Sequence, residues 1–128
     1  MAPDLSPGER RRARERSGRS AEALAGLFLR LKGYRLLERR FKTPVGEVDL
    51  IASRGDTVAF VEVKRRADAD AAIAAVTPAA RARIARAAEA WLARHPEAAD
   101  RGLRFDIVVV VPWRLPRHLP AAFDADGR

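Results

Sequence analysis

Gly46-Glu47-Val48-Asp49-Leu50-Ile51 and, after a short connection, Phe60-Val61-Glu62-Val63-Lys64 decide how this chain is read. Two apolar, strand-like runs carry three carboxylates and a lysine. Acids set among Val, Leu, Ile and Phe are charges near a core. That is costly unless a partner compensates, and a metal ion suits several carboxylates at once. Side chains on a strand alternate between faces. Glu47, Asp49 and Ile51 are therefore expected on one face, with Val48 and Leu50 on the other. In the second run Val58, Phe60, Glu62 and Lys64 share a face and oppose Val61 and Val63.

Arg54-Gly55-Asp56-Thr57 joins the runs, and Gly-Asp between alternating strands signals a hairpin. A hairpin centred there sets Asp49 opposite Glu62 and Glu47 opposite Lys64. Directly opposed residues have Cβ atoms about 4.5–5.5 Å apart. Two carboxylates that close repel, and one takes up a proton unless a cation joins them. Glu47 with Lys64 reads as a cross-strand ion pair that holds an ammonium beside the metal. An exposed face of mixed charge would explain Glu opposite Lys, but not Asp opposite Glu.

The chain has 128 residues, which fits one domain with a real core. It has no cysteine, so neither disulfides nor a thiolate zinc site can form. No apolar run approaches the roughly 20 residues of a membrane helix, and no secretory signal is visible. A cytoplasmic protein with no membrane partner is expected. The formal charge is +8, from 25 Lys and Arg against 17 Asp and Glu. Most of the excess is arginine, which suits bidentate phosphate contacts and points to a polyanion. Low aromatic content argues against a platform that stacks many bases.

Residues 1–18 hold Pro3, Pro7, Gly8, Gly18 and Arg10-Arg11-Arg12, and read as a mobile basic arm. Ser20 caps a helix running to about Lys32 and ended by Gly33. Leu24, Leu27, Phe28 and Leu31 form its core stripe. Glu22 lies nearly opposite that stripe, as a first-turn acid favoured by the helix dipole. Tyr34–Phe41 reads as a strand ahead of the acidic hairpin, and residues 67–76 are a loop or a weak helix start. Thr77-Pro78 opens a helix to about Arg94, with Ile84, Ala88, Trp91 and Leu92 facing the core. Arg104–Val111 is a last strand, buried on both faces. Pro112, Pro116 and Pro120 make residues 112–128 a tail without regular structure. His95 and His118 have no ligand spacing. The order helix, three strands, helix, strand gives a compact α/β domain over 19–111, with helices against a mixed central sheet.

Hard carboxylate oxygens favour Mg²⁺ or Mn²⁺. Held by Asp49 and Glu62 with the Val63 carbonyl, and touched by Glu47 directly or through water, such an ion suits phosphodiester hydrolysis. Lys64 would orient water or offset charge on phosphorus.

Asp49 followed by Glu62-Val63-Lys64 resembles the PD-(D/E)XK nuclease motif. More closely, Gly46–Ala52, Phe60–Lys64 with Arg66, and Arg104-Phe105-Asp106 resemble the YraN family of bacterial proteins. The resemblance covers about residues 18–111. It implies a restriction-endonuclease-like fold, similar to that of archaeal Holliday-junction resolvases. It also implies nucleic-acid binding with nuclease activity, in which Glu47, Asp49, Glu62 and Lys64 form the catalytic set. It adds Glu22 to the metal ligands, because in related resolvases an acid on the first helix, after a glycine, joins the site. Arg65 and Arg66 are the expected nucleic-acid contacts. Where the family often carries a lysine after the Thr-Pro, this chain has Ala79-Ala80, so Arg81 or Arg83 would substitute.

The leading expectation is a metal-dependent endonuclease acting on DNA before RNA, with branched DNA as one substrate. The alternatives are a non-catalytic nucleic-acid-binding module of the same fold, and a small adaptor whose acid pair is a structural ion site. A homodimer would supply the two sites that double-strand or junction cutting needs.

Overall fold

The computed structural model describes residues 4–128. Along the chain come α1 (Pro7–Leu31), β1 (Arg35–Thr43), β2 (Gly46–Arg54), β3 (Thr57–Arg65), α2 (Ala69–Ala75), α3 (Pro78–Arg94), a 3₁₀ turn (Pro96–Ala98), β4 (Gly102–Val110) and β5 (Arg117–Phe123). The strands form one sheet in the order β1-β2-β3-β4-β5. β3 and β4 run parallel and every other neighbour is antiparallel. The expected α/β class with a mixed sheet is the one found. No described helix is long and apolar enough to cross a membrane.

Helices cover both faces of the sheet, and each face has its own core. On one, Ile84, Ala88 and Trp91 of α3 pack on Val48, Ile51, Phe60 and Ile107. On the other, Ala21, Ala25 and Leu29 of α1 pack on Leu50, Ala52, Val61 and Val108. Gly46 sits where β2 starts beneath α3. A Cβ there would lie 2.0 Å from the Arg83 carbonyl oxygen, so only glycine permits this close approach.

The hairpin has the expected register, with Arg54 opposite Thr57 and Leu50 opposite Val61. Strict alternation in β2 does not hold. Val48 joins the α3-side core whereas Leu50 joins the α1-side core. The slip falls at Asp49, which pairs in neither ladder, and Arg40 across from it on β1 has a φ of 51°. Ile51 therefore does not share a face with Asp49.

Helix α1 begins thirteen residues before Ser20, at Pro7, so 7–18 is helical where a mobile basic arm was expected. Ser6 is the true cap, its Oγ accepting the Glu9 N–H at 3.1 Å, with Pro7 in the first turn. Arg, Ala and Glu around Gly18 are good helix formers, and one interior glycine costs only about 1 kcal/mol. The part of the arm at 1–3 lies outside the described residues. Glu22 is consequently mid-helix, where no terminal dipole acts on it. The core stripe also differs. Ala21, Ala25 and Gly26 let α1 lie close on the sheet, and Leu24, Leu27 and Leu31 turn outward, exposed by 41, 54 and 79 %.

Residues 69–75 form α2, capped by Asp68, whose Oδ1 accepts the Ala71 N–H at 2.8 Å. The tail contains β5, a strand despite Pro120. It lies at the sheet edge, where a missing N–H is tolerated.

Candidate active site

β2 and β3 part beyond the Leu50–Val61 pair, and the acids gather there. Asp49 Oδ2 accepts the Val63 N–H at 2.8 Å, satisfying a backbone donor where the strands separate. The Asp49 carboxyl also meets that of half-buried Glu62. Burial pushes Glu62 up to about 9, and the hydrogen bond and charge of Asp49 act in the same direction. Lys64 pulls it down, and Glu47 adds a further upward push. Asp49, Lys64 and Glu47 thus all act electrostatically on Glu62. The strand partner of Glu47 is Lys42 on β1, not Lys64, because the β2–β3 ladder has ended by that point.

Two adjoining clefts of about 340 and 390 Å³ both reach Gly18, Glu22 and Asp49. The first adds Arg19, Arg40, Lys42 and Glu47. The second adds Arg14, Lys64, Arg65 and Arg66. An acidic floor is therefore edged by cations from α1, β1 and β3. That arrangement can take a cation at the floor and a polyanion along the rim.

The acids bear on which ion could be held. Among the described residues no group of three or more His, Cys, Asp or Glu stands ready to ligate a metal. Glu22 lines the cleft, but its Oε2 accepts the Arg40 Nε–H at 2.7 Å. Asp49 and Glu62 remain as the close pair. Their all-oxygen donors and the strain of placing them together fit a hard divalent ion such as Mg²⁺ or Mn²⁺.

The four arginines proposed for nucleic acid divide. Arg65 and Arg66 are exposed on the cleft rim. Arg81 is held elsewhere, donating to the Val76 and Gly127 carbonyls at 3.0 and 3.1 Å and lying over the Phe123 ring. Arg83 is exposed on α3, across the sheet from α1, with its carbonyl against Gly46.

A second polar cluster was not foreseen. Asp106 is fully buried and accepts a bidentate pair from Arg104, both at 2.8 Å. It also meets His118 Nε2 at 2.7 Å and accepts the Ala121 N–H at 3.0 Å. Arg104 reaches the Tyr34 hydroxyl at 2.6 Å, and Lys32 Nζ lies 2.6 Å from His118 Nδ1. Burial alone would raise Asp106, yet the bonds from His118, Arg104 and Ala121 hold it below the usual carboxylate range. The cluster ties β5 to β4 and to the end of α1. Its signals in the sequence were an acid inside an apolar strand and the Arg104-Phe105-Asp106 run that carries part of the family resemblance.

A five-stranded mixed sheet between helices, with an acidic cleft where its central antiparallel pair parts, defines an α/β protein of restriction-endonuclease-like architecture. Residues 21–110 match the uncharacterised protein family UPF0102, and the chain belongs to that family. It is 59 % identical over 127 residues to a UPF0102 protein of Methylorubrum extorquens strain PA1, covering 99 % of each chain. It is 56 % identical over 124 residues to UPF0102 protein amb4503 of Paramagnetospirillum magneticum, covering 94 % of this chain and 96 % of that one. A UPF0102 protein of Rhodopseudomonas palustris strain BisB18 is 60 % identical over 110 residues, covering 86 and 82 %.

Proposed function

We propose that this protein hydrolyses phosphodiester bonds in nucleic acid, DNA before RNA, using Mg²⁺ or Mn²⁺ held by Asp49 and Glu62. The observation that carries this reading is the coupling of the half-buried Glu62 carboxyl to Asp49 and Lys64, two residues that line an arginine-rimmed cleft. The Val63 carbonyl and Glu47 would complete the ligand set. The bound ion supplies positive charge that polarises the phosphoryl oxygen and eases deprotonation of water. Arg65 and Arg66 hold flanking phosphates. Lys64 orients the attacking water or offsets charge as its oxygen bonds to phosphorus. The ester bond to the leaving sugar oxygen breaks, and that oxygen takes up a proton. Glu22 joins the site only if it leaves Arg40.

The test is a panel of linear, flapped, four-way and single-stranded DNA with either ion. Wild type should cut, and D49N and K64A should lose about 100-fold or more while still binding. Binding without divalent-dependent cutting by wild type would instead support a non-catalytic nucleic-acid module. One observation favours that second reading: among the described residues no three acids are gathered to hold an ion, and Glu22 is engaged by Arg40.

A homodimer is part of the proposal. Ala13, Ser17, Ser20, Leu24, Leu27 and Leu31 recur at alternating spacings of four and three along α1, the spacing of a coiled-coil seam. An antiparallel second copy would set each leucine against a small residue, which lets two helices interdigitate.

A further inference from the structure

The strand that leaves the site's neighbour, β4, ends in a short turn whose central residue is out of place. The Arg114 N–H donates to the Val111 carbonyl at 3.2 Å, closing a β-turn with Pro112 and Trp113 at its centre. Trp113 has a φ of 65°. A proline followed by a positive φ is the pattern of a type II turn, whose third residue is ordinarily glycine or asparagine. A bulky L-residue is strained there, because its Cβ crowds the following carbonyl oxygen. The turn would form more easily without tryptophan, so the strain is not explained by folding. Packing does not explain it either. Trp113 is fully exposed, and it is the only exposed aromatic side chain among the described residues. Leu115 beside it is 84 % exposed.

The position of the turn supplies a role. β3 and β4 are parallel, with Lys64 beside Val109 and Arg65 beside Val110. The Arg66 N–H donates to the Val110 carbonyl at 3.2 Å. The turn at 111–114 therefore rises from the same end of the sheet as Lys64, Arg65 and Arg66, and adds Arg114 to their charge. An exposed indole among phosphate-binding cations suits a nucleobase, since any base offers a face for stacking. A base inside an intact duplex is covered on both sides. A base at a flap, junction or single-stranded end is open.

We propose that Trp113 is a stacking finger that engages an unpaired or terminal base next to the cleft, which makes the substrate class nucleic acid with a strand discontinuity. The inference rests on the nucleic-acid reading above. The probes are a flapped duplex, a dT20 single strand and a blunt duplex, titrated at low salt without divalent ions so that no strand is cut. Trp91 is buried, so the exposed indole dominates quenching by a stacked base.

Flapped and single-stranded DNA should quench the emission. W113A should bind them about tenfold more weakly, with under about a twofold change for the blunt duplex, which offers no open base to stack. W113F should recover most of the loss. The side chain touches no core, so W113A should keep the wild-type melting temperature. If R65A and R66A weaken binding but W113A binds every probe as wild type does, without quenching, the finger is overturned and the nucleic-acid reading stands. If W113A instead converts a dimer to monomer in sedimentation, Trp113 is a subunit contact and the finger is likewise overturned. If no probe binds wild type at low salt, both fall.

Discussion

Glu62 and Asp106 are two carboxyls that the fold treats in opposite ways, and pH separates them. Glu62 has an ordinary value of 4.5 when unfolded and is pushed to about 9 by burial and by Asp49. Between those values the folded protein keeps a proton that the unfolded chain has lost. Stability of the metal-free protein therefore falls as pH rises from about 4.5 to about 9. Thermal melts across that range should show this decline, and E62Q should flatten it and melt higher than wild type near pH 8. Asp106 is held low by His118, Arg104 and Ala121, against the effect of burial. Its contribution is present above the unfolded value of 3.8 and is lost as pH falls through the folded one. D106N leaves Arg104 and His118 facing a neutral group, and should cost about 3–5 kcal/mol in urea denaturation at neutral pH. A wild-type midpoint for D106N would show that the cluster does not hold β5 in place.

At the scale of elements, the β2–β3 hairpin was legible because Gly55-Asp56 fixes a turn and the turn fixes the register. The ladder stops at Leu50–Val61, one step short of Asp49 and Glu62, so the two acids are not the directly opposed pair expected. The slip at Asp49 was not legible, because it depends on Arg40 of β1 and on where the β2–β3 ladder stops. Helix α1 was half read. Pro7, Gly8 and Gly18 look like breakers, yet Pro7 occupies a helix start and Gly18 costs little. Its leucines look like a core stripe by spacing alone. The sheet instead takes the alanine face, because small side chains allow a closer approach. β5 was hidden by prolines, and with it the side-chain contact of His118 on β5 with Asp106 on β4. Two predictions belong here. G46A drives a methyl into the Arg83 carbonyl and should destabilise the fold by about 1–3 kcal/mol or more. L27E should turn a dimer into a monomer in sedimentation velocity while the melting temperature changes little, because Leu27 is already half exposed.

The whole molecule carries a +8 charge, and part of it is organised. Helix α1 is 25 residues long, about 37 Å, and its first half carries Arg10, Arg11, Arg12, Arg14, Arg16 and Arg19 past the cleft. In the proposed reading this rod lies along a phosphate backbone. Binding should then weaken steeply with salt, log K falling by about 0.9 per phosphate neutralised on log salt. R14A with R19A should lower that slope by about two, measured by fluorescence anisotropy.

In the proposed reading Asp49 and Glu62 hold one divalent ion between them, and titration of Mn²⁺ followed by electron paramagnetic resonance addresses this without any need for turnover. Wild type should bind one ion per chain, and D49N and E62Q should each bind at least about tenfold more weakly. Equal Mn²⁺ affinity in all three proteins, or no binding by wild type at millimolar Mn²⁺, would contradict it.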